Sequence, residues 1–245
     1  MEKYLVIDSR MRKCEKDFLE KLGYTLICVP KSDNVYEEIS SHVDIFMVKV
    51  LDDFILEKSF YSYFSKYHNS VSNKFNIVCG DECVLSKYPL DILYNVCIIG
   101  KYAIHNFKYT DKTVVDSIEK HGLSKIDISQ GYSKCSIALI DDKSCIVTDK
   151  KIALILKKIG IDVIYIPVED VNISLKNGGK PSNMSGFIGG AMSRIEDCFV
   201  IFGDKKNIQG FSKIEKYILS KGIKIIDFPG LGLVDYGGIV QIGGE

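Results

Sequence analysis

Apolar runs of four to six residues alternate with amphipathic stretches of about ten along the whole chain, and small polar or glycine-containing turns separate them. The clearest instance is Gly131 to Asp149, GYSKCSIALIDDKSCIVTD. It predicts a turn, a strand from Cys135 to Ile140, a tight Asp141-Asp142-Lys143 turn and a second strand from Ser144 to Thr148. An amphipathic helix follows at Lys150 to Ile159. Gly186 to Asp204, GFIGGAMSRIEDCFVIFGD, repeats the order of events: a Gly-aromatic opening, a short run, an acidic turn, an apolar strand and a terminal Asp. Two matched segments of nineteen positions imply an internal repeat.

Extended along the chain, the pattern predicts five units of helix, strand, loop, strand, turn, strand. In the first, strand Tyr4 to Ile7 leads to helix Met11 to Leu22, strand Tyr24 to Val29, a short helical turn at Val35 to Ile39 and strand Ile45 to Val50. The second carries a Tyr/Phe-rich helix, Phe54 to Val71, then strands Phe75 to Cys79, Val96 to Ile99 and Tyr102 to Ile104. The third has helix Lys112 to Lys120, strand Lys125 to Ser129 and the Gly131 to Asp149 segment. The fourth has helix Lys150 to Ile159, strand Val163 to Ile166, a polar excursion from Lys176 to Ser185 and the second repeat copy. The fifth has helix Phe211 to Ser220, strand Ile223 to Phe228 and strand Ile239 to Ile242. It lacks its last strand, which Tyr4 to Asp8 is suited to supply. The expectation is therefore an α/β fold: a five-unit pseudo-symmetric α/β propeller in one domain, 1–245, whose ring is closed by the N-terminal strand. A doubly wound sheet also alternates strands and helices, but it calls for a glycine-rich turn after the first strand, and Asp8-Ser9-Arg10-Met11-Arg12 has none.

Charge and cysteine usage narrow the function classes. Thirty-two basic residues against 32 acidic ones, with no isolated basic cluster, give no reason to expect nucleic acid or an anionic membrane as partner. The eight cysteines are dispersed, several within strand patterns, which suits a reduced, cytoplasmic protein. The first residues enter a strand directly, and no apolar run approaches membrane-spanning length. Cys79 and Cys83 are the one close pair, without a second pair of like spacing, so neither a metal nor any cofactor is expected.

Several motifs resemble a known fold. GYSKCS at 131–136, IVTD at 146–149, GFIGG at 186–190, HNFKYT at 105–110 and VIDSR at 6–10 are similar to an uncharacterised family of the pentein, or guanidino-group-modifying enzyme (GME), superfamily. Arginine and agmatine deiminases, amidinotransferases and dimethylargininase belong to that superfamily. The resemblance implies a functional centre on the ring axis and a small cationic guanidino ligand held by carboxylates. In the enzymes a cysteine near the C-terminus is the nucleophile and works with a His-x-Asp pair. Here His42-Val43-Asp44 has that spacing in the first unit, whereas Val240 and Gln241 stand where the terminal cysteine is looked for.

The candidate nucleophile is then Cys135, with Lys134 beside it to lower its pKa. Its alternative is an inert core cysteine. His105, at a strand end, and His42, at an inner loop, are the candidate bases, or else local hydrogen-bonding residues. Asp8, Asp44 and Asp149 are the candidate cation holders. Asp8, Asp149 and Asp204 all end strands, where capping the next helix is the competing role. Arg10 is a candidate for a substrate carboxylate. A second function class is a non-catalytic propeller serving as a protein or ribosome interaction module, with the aromatic helix around Phe60, Tyr61, Tyr63, Phe64 and Tyr67 as a candidate surface.

Overall fold

The computed structural model describes residues 2–177 and 180–244. β1 (Tyr4–Asp8), α1 (Lys13–Lys21) and β2 (Thr25–Val29) open the chain. Then come α2 (Val43–Phe46), β3 (Met47–Val50), β4 (Asp53–Leu56), α3 (Lys58–Tyr67), α4 (Asn69–Ser72) and β5 (Asn76–Cys79). β6 (Cys97–Ile99), β7 (Tyr102–His105), α5 (Lys112–Lys120) and β8 (Ser124–Asp127) follow. β9 (Ile137–Asp141), β10 (Ser144–Val147), α6 (Lys150–Lys158) and β11 (Asp162–Tyr165) lead to a hairpin of β12 (Ile173–Asn177) and β13 (Lys180–Ser185). The chain ends with β14 (Met192–Ile195), β15 (Cys198–Ile201), α7 (Phe211–Ser220), β16 (Lys224–Ile226), β17 (Leu233–Val234) and β18 (Val240–Ile242).

Among the described residues, these strands form six three-stranded sheets. Five share one plan: a first strand runs antiparallel to a middle strand, and a helical crossover returns the chain to a third strand parallel to the middle one. With no sheet wider than three strands, the doubly wound alternative is excluded. β18 pairs with β1 in the register Tyr4↔Ile242 and Val6↔Val240, so the two ends of the chain share a sheet.

Burial follows the plan. Every residue of the middle strands β1, β4, β10 and β15 is buried; in β1, Tyr4 and Val6 join one hydrophobic cluster and Leu5 and Ile7 another, so both faces are covered. Third strands are less buried, and β8 is mostly exposed. The helices bury single stripes: α6 turns Ile152, Ala153 and Leu156 inward and leaves Leu154 in solvent. Asp149 starts α6 by accepting from the Lys151 and Ile152 amides, and Asp204 accepts from the Lys206 amide at the equivalent place in the second repeat copy.

Three sequence expectations change. The helix expected from Phe54 is a strand, β4, then Glu57 as N-cap, then α3, since an apolar run as short as Phe54, Ile55 and Leu56 carries no periodicity to separate a strand from the start of a helix. Phe60 and Phe64 are core, with Tyr61 and Tyr63 packed against it, so that helix offers only Tyr67 as an exposed ring. The polar excursion is not a loop but β12 and β13, and with β17 it makes the sixth sheet. Its Gly178 and Gly179 lie outside the described residues.

Asp53, at the head of β4, shows how the sheet is tied to α5. Its nearly buried carboxylate accepts from Asn76 Nδ2 at 2.6 Å, Ser117 Oγ at 2.7 Å, Lys120 Nζ at 3.1 Å and His121 Nε2 at 3.0 Å. Burial opposes ionisation, but these donors outweigh it and bring the pKa to about 2. A depressed carboxylate stabilises the fold above its unfolded pKa, and that contribution drains away as pH falls toward 2. Asp53→Asn is expected to lower stability by about 2 kcal/mol at pH 7 in urea denaturation, with the difference from wild type vanishing near pH 2.

Candidate functional site

The segments that lead into the five first strands, a loop in four cases and the short helix α2 in the fifth, meet one another. They place Asp44 ahead of β3, Asn95 ahead of β6, Cys135 ahead of β9, Gly189 and Gly190 ahead of β14, and Asp235 to Gly238 ahead of β18. Hydrogen bonds join them in a closed circuit. Asn95 Nδ2 donates to the Asp44 carbonyl at 3.1 Å, and Asn95 Oδ1 accepts from the Lys134 and Cys135 amides at 2.9 and 3.2 Å. The Gly189 amide donates to the Cys135 carbonyl at 2.6 Å, the Tyr236 and Gly238 amides to Gly190 O, and the Val43 amide to Tyr236 O. Two glycines are required by this crowding. A Cβ on Gly190 would lie 1.8 Å from Asp235 Oδ1, and Gly237, at φ +68, would bring one within 2.7 Å of Asp44 Oδ1.

Inside the circuit lies a buried acidic cluster. Asp8, His42, Asp44, Cys135 and Asp235 are each at most 3% exposed, which leaves little water to solvate charge. His42 stands between two carboxylates, Nε2 3.9 Å from Asp8 Oδ2 and Nδ1 3.7 Å from Asp235 Oδ1, both beyond hydrogen-bond length. Asp235 is held by the Phe187 and Gly237 amides at 2.8 and 2.9 Å, yet its pKa is raised, chiefly by burial and further by Asp44, while His42 works the other way. Cys135 Sγ donates to Asp44 Oδ2 at 2.9 Å. Burial, then the charges of Asp44 and Asp235, push its thiol well up, so at neutral pH it is a thiol, not a thiolate. Asp44 Oδ1 and His42 Nε2 have no hydrogen-bond partner.

The cluster adjoins a cavity of about 1090 Å³. Residues of all five first strands line it, among them Val48, Ile98, Leu139, Arg194 and Val240, and Asp44, Lys134 and Gly237 line it next to the cluster. Lys134 Nζ donates to the Gly189 carbonyl at 3.2 Å.

The structure thus brings together Cys135, His42, Asp8, Asp44 and Lys134, sets His105 and Asp149 apart, and commits Arg10 to Asp8. His105 ends β7 fully buried, with Nδ1 2.7 Å from Thr110 Oγ1 and Nε2 2.9 Å from the Gly131 carbonyl, and burial lowers its pKa to about 4. It pins two loops as a neutral ring. Asp149 caps α6. Arg10 has no donor left for a substrate carboxylate, because all five engage Asp8 and backbone carbonyls. Cys135 lies in a turn two residues before β9 rather than on the strand. Asn95 and Asp235 went unnoticed in the sequence. The signal was there for Asn95, which precedes its first strand by the same two residues as Cys135.

Solved structures with this arrangement of elements exist. A dimethylarginine dimethylaminohydrolase mutant from Pseudomonas aeruginosa, complexed with citrulline, aligns over 93% of this chain and 92% of its own, with TM-score 0.57 and 11% identity. A C. jejuni agmatine deiminase aligns over 92% and 87%, with TM-score 0.50 and 13% identity. An amidinotransferase from Microseira wollei aligns over 89% and 73%, with TM-score 0.52 and 10% identity. At these identities the likeness is one of fold: the chain has the mixed α/β fold of the penteins. It belongs to the Family of unknown function (DUF6873), which matches residues 6–240. No curated protein matches the sequence.

Two measurements check the site as described. In timed alkylation with iodoacetamide at pH 7, Cys14 and Cys83, which are exposed, are expected to react first and Cys135 at least tenfold more slowly. Fast labelling of Cys135 would contradict its burial as a thiol. For His105 the folded pKa lies below the ordinary 6.5, so the unfolded chain takes up the proton first. Stability is then full above pH 6.5 and falls toward pH 4, and the wild type should lose roughly 2–3 kcal/mol more than His105→Gln over that interval.

Proposed function

We propose that this protein binds a small guanidino or amidino cation on the axis of a ring of five sheets, without turnover through Cys135. The ring reading is supported by the circuit of hydrogen bonds, by the shared cavity lining and by the pairing of β1 with β18. The ligand reading rests on one observation: a buried carboxylate oxygen, Asp44 Oδ1, lacks a partner beside a cavity large enough for a small molecule. An unpaired buried carboxylate oxygen is costly, and a planar cation with N–H donors removes that cost.

The roles follow from position. Asp44 receives the cation, with Asp235 behind it and Asp8 already paired with Arg10. Lys134 offers a counter-charge to any carboxylate the ligand carries. Cys135 donates to Asp44 and so touches, as a thiol, the carboxylate that receives the ligand. Nucleophilic attack would need that proton removed beside two carboxylates, and His42 is placed toward Asp8 and Asp235. The named structural relatives, a dimethylaminohydrolase of dimethylarginine, an agmatine deiminase and an amidinotransferase, are concerned with compounds of this class.

Isothermal titration and thermal melting with agmatine and arginine provide the test. Saturable binding is expected, with stabilisation of about 2.7 kcal/mol at a hundredfold excess over Kd, and Asp44→Asn should weaken binding at least tenfold. Wild-type protein that gives neither heat nor a melting shift up to millimolar ligand would refute the reading.

A further inference from the structure

The environment of Arg10 has the form of a ligand site. Nε and one terminal nitrogen grip the Asp8 carboxylate side-on at 3.0 and 2.6 Å. The remaining donors meet the backbone carbonyls of Glu37 at 2.6 Å, Glu38 at 3.0 Å and Lys176 at 3.1 Å. These acceptors come from three distant parts of the chain: the end of β1, the 3₁₀ turn Glu37–Ile39 and β12. The Asp8 side chain is fully buried, that of Arg10 is 16% exposed, and His42 approaches the same Asp8 oxygen with its Nε2 unpartnered. A planar fork met by a bidentate carboxylate and by carbonyls is how proteins recognise guanidinium, and here the guanidinium belongs to the chain itself.

The acceptors do not depend on Arg10 for their positions. β12 is held by its pairing with β17, Ile173↔Leu233 and Ser174↔Val234. The 3₁₀ turn is closed by its own bonds, Ile39 N to Tyr36 O and Ser40 N to Glu37 O. Ser182 Oγ donates to Glu38 Oε1 at 2.9 Å and ties hairpin to turn without the arginine. A cage supported in this way outlasts removal of the side chain that fills it.

We infer that Asp8 and the carbonyls of Glu37, Glu38 and Lys176 form a second guanidinium-binding site, occupied in cis by Arg10, which accepts a free alkylguanidinium once Arg10 is cut back. The site is separate from the Asp44 reading, which concerns wild-type protein with Arg10 in place. Either can fail while the other stands.

Arg10→Ala removes the atoms that ethylguanidinium would replace. Its melting temperature is expected to fall by several degrees, and millimolar ethylguanidinium should restore most of the loss saturably. Ethylammonium at equal ionic strength should not, because it lacks the fork; the shift for Arg10→Ala should exceed that of wild type by several degrees, persist in Arg10→Ala/Asp44→Asn, and fall to the wild-type level in Arg10→Ala/Asp8→Asn. Equal rescue by ethylammonium, or no saturable rescue, overturns the inference. Should Arg10→Ala not fold, Arg10→Lys keeps the charge without the fork. Amide exchange in 36–40 and 173–177 should then stay within about twofold of wild type, because the cage is held by its own bonds, and exchange at least tenfold faster in either segment overturns the inference as well.

Discussion

Five loops must approach within hydrogen-bonding distance of one another in a space that excludes water, and much of the chemistry in this molecule is a consequence. Backbone groups there cannot be left unpaired, so each segment pairs with the next: Asn95 donates to the Asp44 carbonyl and accepts from the Cys135 amide, Cys135 accepts from Gly189, and Gly190 accepts from Tyr236 and Gly238. The approach is so close that Gly190 and Gly237 have no room for a side chain. The glycine-rich run at 186–190 is therefore explained by packing against Asp235 and Cys135.

The same exclusion of water fixes the electrostatics. Asp8, Asp44 and Asp235 are buried together, and three ionised carboxylates in such a place repel one another unless cations or protons intervene. Arg10 answers Asp8 in full. Asp235 answers in part by holding its proton more tightly. Asp44 has the weakest answer, a thiol hydrogen bond on one oxygen and nothing on the other. The uneven distribution singles out Asp44, since it also lines the cavity.

The unit plan was legible in the sequence because it is local: strand, acidic turn and strand-end carboxylate recur at fixed spacing, and both copies of the repeat fold accordingly into β9–β10 and β14–β15. The pairing of β1 with β18 was legible for a topological reason, an orphan strand at one end and a unit one strand short at the other. His42, Asp44 and Cys135 were legible from position within the unit. The partners of Arg10 were not, because two of its three carbonyls lie in the 3₁₀ turn and one in β12, and backbone acceptors leave no trace in residue identity. The hairpin of β12 and β13 was hidden by its polar composition, which reads as loop wherever no apolar face alternates.

The coupling between Cys135 and Asp44 sets what this site can do. A thiol that donates to a carboxylate and a carboxylate that accepts a cation are competing uses of one group, so a cation on Asp44 draws charge away from the thiol's acceptor. It also partly offsets the field that keeps the thiol protonated. Ligand binding and thiolate formation are thus linked with one sign: a bound cation lowers the thiol pKa, and thiolate tightens the cation. How far that linkage runs depends on where the thiol starts. Here it begins from a thiol held far up by burial and two carboxylates, and the cation that would relieve it enters beside the same oxygen the thiol now holds.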